Sequence, residues 1–361
     1  MLLRNQALQL LDGGAENDLR KQKAGENEQI SSHLQLKLKN VGASIANGIV
    51  ESVSLNALTT TPMRLFLVDS SIFVFRAWYG PERDRVNRLQ QPNQAFTGFT
   101  DFVYRLLTEQ APPRLVFAFD ESLSSSARKS IYSDYKANRS PAPEELKRQF
   151  GWCRQWLENL GISCVSSREW EADDLIGSLH RYHGSPQLPV VILTADKDLT
   201  QLIGERDLWW SFLDDKKLDY RAIRRKFGVR PEQIADQLAL TGDKSDNIPG
   251  IPEVGLKTAA RLLQKYDTLE NLRRHLDEVG TMKFRYAASV QRSLIEHQAM
   301  LDISQRLTRI NRDIDAMRGV NLTRRAPQTE ALERMMHEHA FEQARCTRWA
   351  DLLERLPAAT P

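Results

Sequence analysis

Three short runs of the chain are apolar at nearly every position: "RLFLVD" at 64–69, "RLVFAFD" at 114–120 and "PVVILTAD" at 189–196. Runs of this length, rich in Val, Leu, Ile and Phe and without alternation, predict strands covered on both faces, as in a mainly parallel sheet. Between them, 94–109, 144–160 and 171–183 carry the three-to-four-residue apolar spacing of amphipathic helices. Strand and helix alternating in this way predict an α/β core over 63–230, its central sheet flanked by helices and its crossovers right-handed. From about 231 the strand pattern stops, and 231–240, 255–265, 268–277 and 284–307 read as helices. The expectation is therefore a helical region over 231–317 followed by a helical tail over 318–361. Two stretches break the pattern. Residues 122–143 are basic and aromatic, end in "SPAP", and are expected to form a mobile segment over the sheet. Residues 1–62 are polar, balanced in acids and bases, and without a sustained period. They are expected to be either a poorly ordered extension or sequence upstream of a true start at Met63. Their acids set them apart from an organelle transit peptide.

Composition narrows the class. With 361 residues, 41% of them hydrophobic and 27% charged, the chain can bury one large core or two modest ones. No apolar run reaches the roughly 20 residues of a membrane span, and the N-terminus lacks a secretory design, so a cytoplasmic protein without membrane association is expected. Cys153, Cys164 and Cys346 have no metal-ligand spacing and are expected to be reduced. The net charge of +3 is modest, but its distribution is uneven. "RKSIYSDYKANR" at 128–139 holds four basic residues against one aspartate, and "KKLDYRAIRRKFGVR" at 216–230 holds seven against one. Either run alone is equally well read as a solvated face. If the acids are gathered into one site, the remaining surface is more basic than the total suggests.

The acids do fall in a pattern. Each of the three strand runs ends in aspartate: Asp69, Asp120 and Asp196. One such residue is ordinarily a helix cap or a turn former. Three at the carboxyl ends of parallel strands converge where open α/β sheets bind their ligands. Asp198 follows in "TADKDL", Glu171, Asp173 and Asp174 stand at a helix start in "EWEADDLIGSL", and Asp243 and Asp246 stand in "TGDKSDNIPG". Carboxylates gathered so closely repel one another unless cations neutralise them. Oxygen donors without His or Cys point to a hard ion, Mg²⁺ or Mn²⁺, in two or more copies, the arrangement that hydrolyses phosphodiesters. The Pro- and Gly-punctuated turn after Asp246 reads as a helix-hairpin-helix. Its backbone N–H groups and helix N-terminus, near Gly250, Gly255, Lys257 and Thr258, suit a phosphate strand.

With these residues in view, the sequence resembles the 5′-nuclease family: the 5′-to-3′ exonuclease domain of bacterial DNA polymerase I and the structure-specific flap endonucleases. "EADDLIGSL", "VVILTADKDLTQLI", "LALTGDKSDNIPG" and "DYKANRSPAPEEL" match closely and "LVDSSIFVFRAWYG" more loosely, so that the resemblance covers about 63–317. It implies a PIN-like nuclease core, an arch at about 122–143, and a hairpin that grips duplex DNA. One metal cluster would be Asp69, Asp120, Glu171, Asp173 and Asp174; the other would draw on Asp196, Asp198, Asp243 and Asp246. Tyr135, Lys136 and Arg139 of the arch, with Arg76 of the first helix, would face the scissile phosphate. Arg128 and Lys129 would contact DNA, and K⁺ would sit at the hairpin. The substrate implied is DNA with a 5′ flap, nick or duplex end, cut by a monomer. No polymerase region follows, so a free-standing nuclease is expected.

Three departures bear on this reading. Ser70 stands where the family often has Gly, a change expected to be tolerated. Ala127 replaces an aromatic residue before Arg128, which bears on how the arch orders. Glu253 replaces the first Gly of the hairpin's Gly-x-Gly, putting close phosphate approach and K⁺ binding in question. The alternative functions are a catalytically weak DNA-junction binder on the same scaffold and a small ribonuclease sharing the α/β core. The ribonuclease group lacks the arch and hairpin.

Overall fold

The computed structural model describes residues 63–121 and 127–355. The extension expected over 1–62, the first residues of the expected arch and the last residues of the tail lie outside them.

The three apolar runs are strands: β1 (Leu65–Asp69), β2 (Arg114–Asp120) and, after the intervening β3 (Ser163–Ser167), β4 (Val190–Leu193). With β5 (Leu208–Ser211) and β6 (Lys216–Leu218) they form one sheet in the order β3-β2-β1-β4-β5-β6. Every pairing is parallel except that of β6 with β5. The chain builds outward from β1 to β3, then returns to the other side of β1, so the order reverses between β1 and β4. Crevices open at such a switch point, beyond the carboxyl ends of the strands.

Alternate strand residues feed two different cores, as the two-residue repeat of a strand dictates. Leu65, Leu67, Val116, Ala118, Val190 and Ile192 face one side. There α5 (Ala172–His183) covers them, and the same core continues into the helical region through Leu238, Leu262 and Leu301. Phe66, Val68, Phe117, Phe119, Val191 and Leu193 face the other side, under α1 (Ser70–Trp78), α2 (Gln94–Gln110) and α4 (Glu144–Asn159). Between α2 and α4 lies the short arch helix α3 (Ala127–Ile131), and α6 (Tyr220–Phe227) follows β6.

The helical region comprises α7 (Ile234–Thr241), α8 (Leu256–Tyr266), α9 (Leu269–Arg274), α10 (Leu276–Val279), α11 (Ala287–Glu296) and α12 (Gln298–Thr308). The helix expected over 284–307 is divided at His297, whose backbone leaves helical geometry. The tail forms α13 (Thr329–Glu338) and α14 (Gln343–Arg355), which complete the second core. Trp349 of α14 is fully buried, edge-on to Trp156 at 4.9 Å and to Tyr104 at 5.5 Å. Arg345 clamps Asp101 of α2 through two hydrogen bonds of 3.0 and 2.7 Å. Trp349→Ala is expected to lower unfolding stability by about 3–5 kcal/mol, the usual loss for a buried aromatic. Chemical denaturation measures it, and a loss below about 1 kcal/mol would mean that the tail is dispensable to the core.

Candidate active site

The strand ends place the acids as their order suggested. Asp69 closes β1, where its carboxylate accepts a 2.8 Å hydrogen bond from Thr194 just beyond β4. Asp120 closes β2 and accepts from Ser71 Oγ and from the Ala172 amide, each at 2.8 Å, which fixes the start of α5 against the sheet. Glu171 immediately precedes α5, and Asp173 lies in its first turn. Asp196 accepts from the Asp198 amide at 2.8 Å, folding "TADKD" into a turn just beyond β4.

The electrostatics of the cluster follow from this crowding. Burial, then Asp120 and Asp196, push the Asp69 carboxyl up to about 7. Burial, then Asp196 and Asp69, raise Asp173 well above the usual carboxylate range. Burial and Asp196 take Asp198 up to about 7, with Asp243 and Asp246 adding to the repulsion. Asp196 touches both sets: its own pKa is raised by burial and Asp246, while its charge raises those of Asp69, Asp173 and Asp198. It is the hinge of the cluster.

Four side-chain cations answer this charge, Arg128 from 3.5 Å behind Glu171 and three others directly. Lys136 Nζ stands 2.7 Å from Glu171 Oε2 and 3.6 Å from Asp246. Arg139 pairs with Asp246, and Lys197 bridges Asp198 and Asp243. Burial alone would raise Glu171, yet Lys136 and Arg128 hold it below the usual carboxylate range. Lys136 in turn is raised well above its ordinary value: burial would lower it, but Glu171, Tyr135, Asp246 and Asp173 together outweigh that effect. Against burial, Asp243 is held below the usual carboxylate range by Lys197 and by the Ser245 hydroxyl and amide, from which it accepts at 2.5 and 2.7 Å. Lys197 was absent from the candidates read in the sequence. Its position between Asp196 and Asp198 was the available signal.

Several expectations change. The arch segment was expected to be mobile, yet 127–139 is docked against the acids. The Lys136 amide donates to Asp246 O at 2.9 Å, Asn138 to Lys244 O and Asn247 to Asp134 O. Tyr135 is buried, its hydroxyl 3.1 Å from Glu171 and 3.3 Å from Asp246, so it braces acids instead of lining an open phosphate path. Arg128, expected on DNA, is buried and forms a fork on Asp174 at 2.6 and 2.8 Å. Its remaining donors reach Leu307 O and Arg309 O. The same pair engages Asp174, one of the expected metal ligands: its two oxygens accept from Arg128, the Glu171 amide and the Asn311 amide. Arg76 stands at the exposed end of α1 and pairs with Asp214 at 3.0 Å. Lys129 remains half-buried on the arch helix.

The hairpin between α7 and α8 is held by backbone contact. Asp243 and Ile248 exchange hydrogen bonds of 2.9 and 2.8 Å. A Cβ on Gly250 would stand 2.3 Å from the Thr241 carbonyl carbon, so Gly250, expected at the DNA, is required first for packing. Gly255 precedes α8 in open space, with Leu256 and Lys257 exposed and Thr258 half-buried beside it. Glu253 adopts φ 68°, the left-handed conformation that glycine takes freely and that costs other residues about 1–2 kcal/mol. Glu253 thus takes up a backbone conformation that glycine would adopt without strain. Ser70 is fully buried with no partner for its hydroxyl, and Ala127 joins the arch through its amide to Glu169 O.

The residues fit hard divalent cations in donor type and charge. Asp69, Asp120, Glu171, Asp173, Asp196, Asp198, Asp243 and Asp246 outnumber the cations beside them among the described residues, Lys136, Arg139 and Lys197 with Arg128 3.5 Å from Glu171, and Glu171 Oε1 is buried without a hydrogen-bond partner. Among the described residues no three acidic, His or Cys side chains already stand in ligand geometry. Lys136 and Lys197 each bridge two of the acids instead.

Comparison with known proteins agrees with this architecture. The T5 5′-exonuclease solved with zinc superposes at a TM-score of 0.56 with 16% identity, covering 81% of this chain and all of that one. The catalytic core of Rad2, solved with a DNA substrate, superposes at 0.54 with 14% identity, covering 81% of this chain and 92% of the other. The fold is thus that of the PIN-like nucleases. In sequence, residues 64–228 match the 5′-3′ exonuclease N-terminal resolvase-like domain, and 229–330 match the 5′-3′ exonuclease C-terminal SAM fold. The 5′-3′ exonuclease of Aquifex aeolicus is 33% identical over 251 residues, 70% of this chain and 83% of that protein. The chain belongs to the 5′-3′ exonuclease family. DNA polymerase I of Rhizobium leguminosarum is 35% identical over 259 residues, and the chain spans about a quarter of its length.

Lys136→Met should lower the stability of the metal-free protein by about 3 kcal/mol, because it leaves Glu171 buried with one fewer cation. Millimolar Mg²⁺ should recover part of the loss. An unchanged melting temperature without divalent ions would show that Lys136 does not rest on Glu171 in solution.

Proposed function

We propose that this chain is a divalent-metal-dependent 5′-to-3′ exonuclease and 5′-flap endonuclease, which hydrolyses DNA phosphodiesters near 5′ ends and flap junctions. The observation that carries the reading is the buried excess of carboxylates at the sheet's switch point. Like charges buried together destabilise a fold and repel a polyanion, so a chain that merely bound DNA would gain nothing from retaining them.

Asp69, Asp120, Glu171 and Asp173 would hold one ion and Asp196, Asp198, Asp243 and Asp246 another, with Mg²⁺ or Mn²⁺ matching the all-oxygen donors. Such ions supply a water activated at neutral pH and stabilisation of the leaving oxygen. The chain's own residues do the rest. Lys136 and Arg139 are cations already delivered to the acids by the arch; once released from Glu171 and Asp246 they can pair with a phosphate in the same space. Lys136 and the metals therefore compete for the same carboxylates. The hairpin offers α8's free N-terminal amides, with exposed Lys257, to the backbone of the duplex without reading bases. The chain is proposed to act as a monomer, with any K⁺ at the hairpin held by its backbone carbonyls.

The test is cleavage of end-labelled flap, nicked and blunt duplexes across a Mg²⁺ titration. Cutting at the flap junction and stepwise release from the 5′ end are expected, each leaving a 5′-phosphate and each abolished by chelation. Asp173→Asn should slow single-turnover cleavage by about 10³-fold. Cleavage unaffected by chelation, or a variant within tenfold of wild type, would overturn the assignment.

A further inference from the structure

The edge of the sheet away from the arch carries a second basic surface. Lys216 and Lys217 lie on β6, and Arg221, Arg224, Arg225 and Lys226 lie exposed on α6. Lysines on an edge strand discourage strand pairing, and cations in a helix's last turn complement its dipole. Those effects explain each residue singly, but they do not explain how the local acids are used. Asp214 is taken by Arg76 and Ser211, and Asp215 by Lys217 and the Trp210 indole. Asp219 caps α6 through the Ala222 amide, and Glu232 pairs with Arg230 and the Tyr220 hydroxyl. Arg221, Arg224 and Arg225 make no side-chain ion pair or hydrogen bond among the described residues. Lys216 and Lys226 are neighbours, so that burial and then the Lys216 charge hold Lys226 below its ordinary pKa. Two ammonium groups side by side, flanked by three unpaired guanidinium groups, form a surface whose cations outnumber its acids even though Asp214 lies within reach of Lys216.

Its position says which anion. Ser211 pairs with Lys216 and Trp210 with Lys217, while Leu193 of β4 pairs with Trp210. Lys216 therefore lies at the same end of the sheet as Asp69, Asp120 and Asp196. From β1 to β6 there are three strand spacings, about 14 Å. α6 starts after β6 at the opposite end and runs back, which brings its last turn beside Lys216. Arg76, paired with Asp214 between the acids and this edge, adds another cation to the path. We propose that the β6–α6 edge binds the phosphate backbone of duplex DNA about four base pairs from the scissile phosphate. The inference rests on the nuclease reading above, and it adds a contact outside the arch and the hairpin.

The test replaces Lys216, Arg221, Arg224 and Arg225 together with Gln, leaving Lys217 and Lys226 in place over their tryptophans. A second variant, Arg221→Lys, Arg224→Lys and Arg225→Lys, keeps the charge. DNA affinity is read by fluorescence anisotropy in Ca²⁺ across a KCl series, using flap substrates with duplex arms of about 20 or about three base pairs. The Gln variant should bind the long-armed substrate about tenfold more weakly at 100 mM KCl. Its slope of log K against log salt should be shallower by about three, as expected when three to four phosphate contacts are lost. The Lys variant should match wild type, and all three proteins should bind the short-armed substrate alike. Equal affinity and slope for wild type and the Gln variant, in a wild type that binds and cuts DNA, would overturn the proposal. A wild type that neither binds nor cuts any DNA would instead overturn the nuclease reading on which it stands.

Discussion

Carboxylates that repel one another at the carboxyl end of a parallel sheet set the terms for the rest of this molecule. A pair of unit charges 4 Å apart interacts by about 4 kcal/mol at an effective dielectric near 20, and Asp69, Asp173 and Asp198 each feel more than one neighbouring carboxylate. The fold holds them there because other contacts fix their backbones. Asp69 and Asp120 end strands whose side chains fill both cores, and Asp196 ends a turn tied to β5 through the Trp209 indole. Local strain of this kind is common where function needs it and is supported from elsewhere in the structure.

The same repulsion explains why arch, hairpin and sheet meet at one place. Lys136 and Arg139 reach Glu171 and Asp246, and Lys197 reaches Asp243, so each contact ties together elements far apart in sequence. Arg128 and Asp174 form the strut behind them, joining the arch helix, α5 and the segment after α12 in one buried network. The two basic regions then divide the work. One faces the acids and is paired with them; the other, along β6 and α6, keeps its arginines unpaired.

Much of this was legible in the sequence, and what was hidden was hidden for physical reasons. β1, β2 and β4 announce themselves because strands buried on both faces must be apolar throughout. The acids that follow them therefore point to the switch point. β3 reads "SCVSS" because it lies on the sheet's edge, and β6 reads "KKL" for the same reason, so neither offers a periodic signal. Asp173 and Asp174 are adjacent and chemically identical, yet one joins the cluster and the other meets Arg128; only the packing of the arch helix on α5 distinguishes them. Gly250 looked like a phosphate contact because glycine serves close approach of any kind, and here the approaching group is the chain's own Thr241.

The central claim is that side-chain cations stand in the carboxylate cluster where divalent metals would otherwise supply the balancing charge. The measurement that tests it most directly is Mn²⁺ affinity, followed by electron paramagnetic resonance, for wild type and Lys136→Met. Removing the competing ammonium should tighten Mn²⁺ binding by about fivefold or more, because Glu171, Asp173 and Asp246 are then less neutralised. Equal or weaker Mn²⁺ binding by the variant would contradict the account.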